Sequence, residues 1–305
     1  MGPGRNLQYT WNPILPRLSL TLMKTTILAA AVLAATAALS AQGDPTWTQP
    51  FEPQRIADNL YFVGTRGLSS HLLVTREGNI LIDTGLEESV PLVRANIEKL
   101  GFKIADIKIM LSSHTHFDHV AGHAEMQRIT GATIMALGED AAALSSGIDN
   151  SALGARGWKP AKVSRVLKDL DTVSLGGVTL TAHHTPGHTK GCTAWTTTVT
   201  DAGQTYNVVF VGCASINQGV KLLGNARHPA IVDDYARTFK VLKELRADIF
   251  LAQHPSMFRL EDKVRRLKPG APNPFVDPQG YKDFVAGQER NYLTQLERER
   301  SGGTR

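Results

Sequence analysis

Four side chains of the kind that bind metal ions fall within six residues, His114-Thr115-His116-Phe117-Asp118-His119, directly after an apolar run at residues 107–112. Such a run reads as a buried strand, and a strand end is where a rigid element can aim chemistry. In extended chain, side chains alternate with period two. His114, His116 and Asp118 are therefore expected on one side, with His119 elsewhere as a turn begins. One loop could then feed two ions. Two more donors follow: His188 in the tight turn Thr185-Pro186-Gly187-His188-Thr189, and His254 in Gln253-His254-Pro255. His114, His116 and His188 make a three-histidine set that leaves a fourth position open for water, and Asp118, His119 and His254 make another. Imidazole and carboxylate in these numbers suit Zn2+, two per chain. Isolated histidines (His71, His123, His183, His184 and His228) read as packing or surface residues. Asp83, in Leu81-Ile82-Asp83-Thr84-Gly85, reads either as a strand-end cap or as a carboxylate supporting a metal ligand.

The rest of the chain alternates strands and helices. Strands are expected at residues 59–63, 71–74, 79–83, 107–112 and 133–137, with helices at 87–100 and 119–130. A second half repeats the theme. Strands are expected at 163–167, 172–175, 178–183, 193–198, 206–211 and 249–252, the pair 193–198 and 206–211 forming a hairpin. Helices are expected at 231–246 and 281–299. Two similar halves predict an α/β fold, two sheets packed together with helices outside.

The N-terminal residues stand apart. Residues 23–41 place a lysine before an apolar, alanine-rich run and end on Leu39-Ser40-Ala41, the pattern of a cleavable secretory signal. The run is too short for a membrane span. Residues 1–22 precede this signal awkwardly and read as a spurious or unusual leader, with Met23 as the initiator. The mature chain is expected as one domain, 42–305, periplasmic or secreted, and free of the membrane. Residues 1–41 hold Arg5, Arg17 and Lys24 and no acid, so only +2 of the formal +5 belongs to that domain. No basic cluster with interleaved aromatics remains, which argues against nucleic acid as a partner. Two cysteines, Cys192 and Cys213, cannot make a disulfide scaffold, so a hydrophobic core must stabilise the chain.

The His-x-His-x-Asp-His segment resembles the metallo-β-lactamase superfamily, and the resemblance spans nearly all of residues 52–300. Within it, Gly187-His188-Thr189-Lys190-Gly191 and Asn273-Pro274-Phe275-Val276-Asp277-Pro278 are similar to β-lactamases of subclass B3. The resemblance implies an αββα sandwich, with one zinc at His114, His116 and His188 and the other at Asp118, His119 and His254. It also implies hydrolysis of the β-lactam amide by a metal-bound hydroxide that Asp118 helps orient, conferring β-lactam resistance. The expected partner is a small-molecule β-lactam, and the chain is expected to be a monomer. Ser215 and Asn217 are candidates for the substrate carboxylate, and equally ordinary polar residues of a loop. Lys221 is a more distant candidate. Trp47, Phe51, Gly67 and Leu68 could line the groove.

Thioesterases of the superfamily carry a bridging aspartate in a Gly-Asp step, where this chain has Gly212-Cys213. That departure favours the lactamase over another exported metallohydrolase, such as a lactonase. A non-catalytic zinc protein would be expected to have lost a ligand. Cys213, where subclass B3 has serine, is read first as a neutral thiol near the second metal. It could also replace or supplement a ligand, or pair with Cys192, which hairpin symmetry sets opposite it.

Overall fold

The computed structural model describes residues 1–2, 43–154 and 156–302. The leader and signal segments lie outside the described residues, Met1 and Gly2 apart. From Asp44 onward the chain forms an αββα sandwich. The first sheet has seven strands hydrogen-bonded in chain order: β1 (Gln54–Ala57), β2 (Leu60–Phe62), β3 (His71–Thr75), β4 (Gly78–Ile82), β5 (Ile107–Leu111), β6 (Thr133–Leu137) and β7 (Val163–Leu167). The first four form an antiparallel meander; β4 to β7 are parallel. Parallel neighbours need crossovers, and helices supply them. These are α1 (Val90–Lys99), the pair α2 (Phe117–Val120) and α3 (His123–Thr130), and α4 (Gly138–Ser146).

The second sheet runs β12-β11-β10-β9-β8, with β8 (Thr172–Leu175), β9 (Val178–His184), β10 (Thr193–Asp201), β11 (Gln204–Val211) and β12 (Ile249–Ala252). Helix α5 (Ile231–Glu244) carries the chain from β11 to its parallel neighbour β12; α6 (Leu260–Arg266) and α7 (Pro278–Arg300) follow. The β10–β11 hairpin pairs Asp201 with Gln204 and Trp195 with Phe210. Its turn residues Ala202 and Gly203 both have positive φ, 49° and 81°, as a tight two-residue hairpin requires.

Alternation along the strands separates two cores. Leu73, Ile80, Ile82, Ile109 and Leu111 pack with Leu180, Trp195 and Val209 of the opposing sheet. Their neighbours Leu72, Leu81 and Met110 pack with Val93 and Ile97 of α1 and Leu144 of α4. Both faces of the first sheet are thus covered at its centre, which is why β4 and β5 read as nearly continuous apolar runs.

Two expectations change. Residues 163–167 belong to the first sheet, because α4 returns the chain to pair β7 parallel with β6, so the strands divide seven and five. The helix expected at 119–130 is two helices. Gly122 interrupts it, donating to Gly85 O (3.0 Å) where a Cβ would stand 2.8 Å from Val90 Cγ2. That close approach moors the segment after β5 to the loop after β4.

Candidate metal centre

Every expected metal-type residue follows a strand at the same edge of the two sheets. His114 and His116 follow β5, and His188 follows β9. Asp118 and His119 lie in α2, and His254 follows β12. The structure gathers them into the two anticipated groups: His114, His116 and His188, and Asp118, His119 and His254, with donor atoms in each group within 4.8 Å of one another. The period-two argument holds for His114 and His116. It fails for Asp118, because the backbone turns helical at Phe117 and the helix, not strand alternation, aims Asp118 beside His119. Asp118 Oδ2 lies 3.0 Å from His119 Nε2 and 3.7 Å from His254 Nε2. His114 and His119 link the groups, with ring centroids 4.4 Å apart.

The hydrogen bonds fix how several imidazoles present themselves. His188 Nδ1 lies 2.7 Å from Ser215 O, and His254 Nδ1 lies 3.0 Å from Gly67 O. A carbonyl only accepts, so each Nδ1 carries a proton, and Nε2 is the atom each ring has left to offer a cation. His116 Nε2 meets the Ser151 hydroxyl at 3.0 Å and His114 Nδ1 the Ser113 hydroxyl at 3.2 Å, leaving each ring its other nitrogen. His119 Nδ1 is buried without a hydrogen-bond partner. Burial, and then the neighbouring histidines, hold His114 and His116 well below the usual imidazole range. Burial and His119 bring His254 down to about 4. Burial acts to raise Asp118, but His119 and His254 keep it far below the ordinary carboxylate value. His114, His116 and His254 are thus neutral beside an ionised Asp118, as a divalent cation needs, while His119, which burial lowers but Asp118 raises further, and His188 would each give up a proton on binding one; imidazole and carboxylate donors in this arrangement fit zinc.

Asp83 holds a strained position, with φ 59°. Its Oδ1 accepts from Ser113 N (2.8 Å), while Thr84 N and Gly85 N donate to His119 O (3.0 and 3.2 Å). The loop after β4 thus grips the histidine segment at both ends, and Asp83 supports it through Ser113. Burial raises its carboxyl to about 6, His119 opposing.

Cys213 and Cys192 are both free and buried, so they are not paired, although they lie close beyond the last register pair of the hairpin, Trp195 and Phe210, with Cys192 Sγ 3.7 Å from Cys213 O. Cys213 Sγ lies 3.4 Å from Ser215 Oγ, and its charge acts on His188, a member of the three-histidine group, as well as on His119. It therefore acts on the first group rather than standing only by the second. Burial lowers His188, but Cys213 raises it, to about 9. Burial raises the Cys213 thiol, and His188 brings it below its usual value.

Ser215 and Asn217 are half-buried on the loop after β11. Ser215 O accepts from both His188 and the Tyr235 hydroxyl (2.7 Å). Trp47 stacks on His254 (6.3 Å between centroids) and meets Phe117 edge-on (5.8 Å), so it borders the second group. Phe51 packs instead on Phe62, Leu68 is buried, and Lys221 lies by Glu299 of α7. Sequence reasoning missed Asp140, Ser151 and Tyr235. Asp140 sits in a helix that was not anticipated, Ser151 in a loop without periodicity, and Tyr235 reads as a core position of an amphipathic helix. Only the Asp149-Asn150-Ser151 polar cluster offered a signal.

The sequence matches the profile of the Metallo-beta-lactamase superfamily over residues 63–254. Among solved structures, the native FEZ-1 metallo-β-lactamase from Legionella gormanii is 44% identical, with a TM-score of 0.80, over 83% of this chain and 98% of that one. BJP-1, a subclass B3 metallo-β-lactamase of Bradyrhizobium japonicum, is 37% identical, with a TM-score of 0.80, over 85% and 98%. A hydroxyacylglutathione hydrolase of Hyphomonas neptunium is 31% identical over 126 residues, 41% of this chain and 42% of its own length. The chain thus spans less than half the length of the curated relatives it matches.

Proposed function

This chain belongs to the metallo-β-lactamase superfamily of hydrolases, and from that premise we propose that it is a zinc-dependent β-lactamase resembling subclass B3. One observation carries the reading. The two donor groups contain a single carboxylate, Asp118, and the position from which thioesterases of the superfamily offer a bridging aspartate is Cys213, against His188. The matches to solved β-lactamases over nearly their whole length support it. The partial matches to hydroxyacylglutathione hydrolases favour a thioester substrate as the second reading.

His114, His116 and His188 would hold one zinc, and Asp118, His119 and His254 the other. Zinc there supplies Lewis acidity and lets water act as a nucleophile near neutral pH. The protein's own part is orientation. Ser215 O and Gly67 O keep His188 and His254 in the Nδ1–H tautomer. Asp118 stays ionised at working pH and accepts a hydrogen bond from the attacking water. The water oxygen bonds to the lactam carbonyl carbon, the C–N bond breaks, and a proton from that water ends on the ring nitrogen. Trp47 and Phe117 give the substrate an apolar wall that excludes solvent. The Ser215 hydroxyl and the Asn217 amide are assigned to the substrate carboxylate. Export through residues 23–41, giving a mature N-terminus near Gln42, belongs to the same proposal. Among the described residues, no helix is long and apolar enough to cross a membrane.

The test is a purified-enzyme panel of nitrocefin, a penicillin, a carbapenem, an acylated glutathione thioester and a lactone. β-Lactam turnover that a chelator abolishes and zinc restores, with two zinc ions per chain, is the expected result. Turnover of the thioester or lactone with no β-lactam hydrolysis would overturn the assignment.

A further inference from the structure

The three histidines of the first group hang from two loops in different sheets, residues 114–116 after β5 and residues 185–191 after β9. Asp140, in the first turn of α4 and 1% exposed, lies between them. Its Oδ2 accepts the Thr115 N–H (2.9 Å) and the Thr189 hydroxyl (2.7 Å), and its Oδ1 accepts the Gly191 N–H (2.7 Å). Thr115 separates His114 from His116, and Thr189 follows His188. Gly191 reaches the carboxylate only because it lacks a side chain. A Cβ there would stand 2.3 Å from Leu137 O and 2.7 Å from Asp140 Cβ. Asp118, His119 and His254 lie outside this set of bonds.

We propose that Asp140 is the positioning residue of the three-histidine site: it ties the two histidine-bearing loops at one spacing, and so sets that site's affinity for its cation but not the other site's. This rests on the reading of the two groups as metal sites. The chemistry calls for a carboxylate in particular. All three partners donate, so both oxygens must accept, and a buried anion is tolerable only when so compensated. In Asp140→Asn the volume is nearly kept, but one acceptor becomes an NH2 donor. Whichever way the amide turns, that NH2 faces either the Gly191 or the Thr115 N–H. Thr189→Val removes a single bond and leaves the carboxylate in place.

The experiment uses the full chain, stripped with a chelator and reloaded with zinc or cobalt(II) against a competing chromophoric chelator. His254→Ala serves as the reference for the spectrum of a three-histidine site alone. Wild-type protein should take two ions. Asp140→Asn should bind about 10- to 100-fold more weakly at the three-histidine site, with the absorption of the carboxylate-containing site unchanged. Thr189→Val should show a smaller loss at the same site. Melts of the metal-free proteins by circular dichroism separate positioning from simple destabilisation. Wild-type affinity at both sites in Asp140→Asn overturns the proposal, and so does parallel weakening of the two sites. If Asp140→Asn does not fold, unchanged three-histidine affinity in Thr189→Val overturns it. Wild-type protein that binds no metal would refute the metal-site reading itself, before any substitution is made.

Discussion

His71 offers a test of acid stability that is independent of the metal groups. It opens β3 at 3% exposure, packed edge-on against Phe62 and Phe210 and tilted against Phe258, and its Nε2 is buried without a partner. Burial pushes its pKa down to about 3. The unfolded chain takes up this proton at about 6.5. Below that pH the unfolded state binds a proton that the folded state refuses, so stability is lost as pH falls from about 6.5 toward 3. The slope is about 1.36 kcal/mol per pH unit, which amounts to about 2 kcal/mol by pH 5. In His71→Leu that loss disappears. At pH 7.5 the variant should lie within about 1 kcal/mol of wild type, because relief of an unpaired buried nitrogen offsets the lost ring contacts. Between pH 7.5 and pH 5 the difference should move by about 2 kcal/mol in the variant's favour. That corresponds to a Tm gap of about 4–8 °C in a protein of this size. Urea unfolding of both proteins across this range is the assay, and contributions shared by the two cancel in the difference. Parallel stability curves would refute the argument, since they would mean that His71 protonates in the folded state without penalty.

Three further outcomes follow. Asp118→Asn should lower kcat on nitrocefin by about 10²-fold or more and weaken zinc binding by the His119–His254 group, while the far-ultraviolet circular dichroism stays that of wild type. Gly212→Ala should cost about 3 kcal/mol or more, because its Cβ would stand 2.2 Å from Thr193 O and 2.9 Å from Cys192 Sγ; urea midpoints check this. Denatured but unreduced protein should titrate two thiols with Ellman's reagent, since Cys192 and Cys213 are unbridged; a titre of zero would require a disulfide.

Sequence reasoning located the strands β2 to β12 and the helices α1, α5 and α7, because each carries either a period, as β10 and α5 do, or a short apolar run bounded by turn residues, as β5 and β12 do. The hairpin register was legible as far as the pair Trp195 and Phe210, because a two-residue turn leaves no freedom. What escaped was set by tertiary contact. Gly122 breaks a helix only because α1 and the loop after β4 crowd it. Strand β7 changes sheet because of a helix whose alanine-rich sequence carries little periodic signal. At the site, the donors were legible because metal chemistry restricts residue type. Their supports were not, because Asp140 and Ser151 act through bonds 25 to 51 and 35 residues distant in sequence.

Each donor group draws on both sheets: β5 and β9 for one, the helix after β5 and β12 for the other. Under the proposed function, an ion held at either group would act as a clasp across the interior, closing a loop of about 70 residues in the first case and about 135 in the second, where loop entropy grows only logarithmically with length. Binding energy at either ion would then become resistance to separating the two sheets. Zinc starvation should accordingly expose the chain to proteolysis along that seam, so the supply of metal would govern how long the protein survives as well as how fast it works.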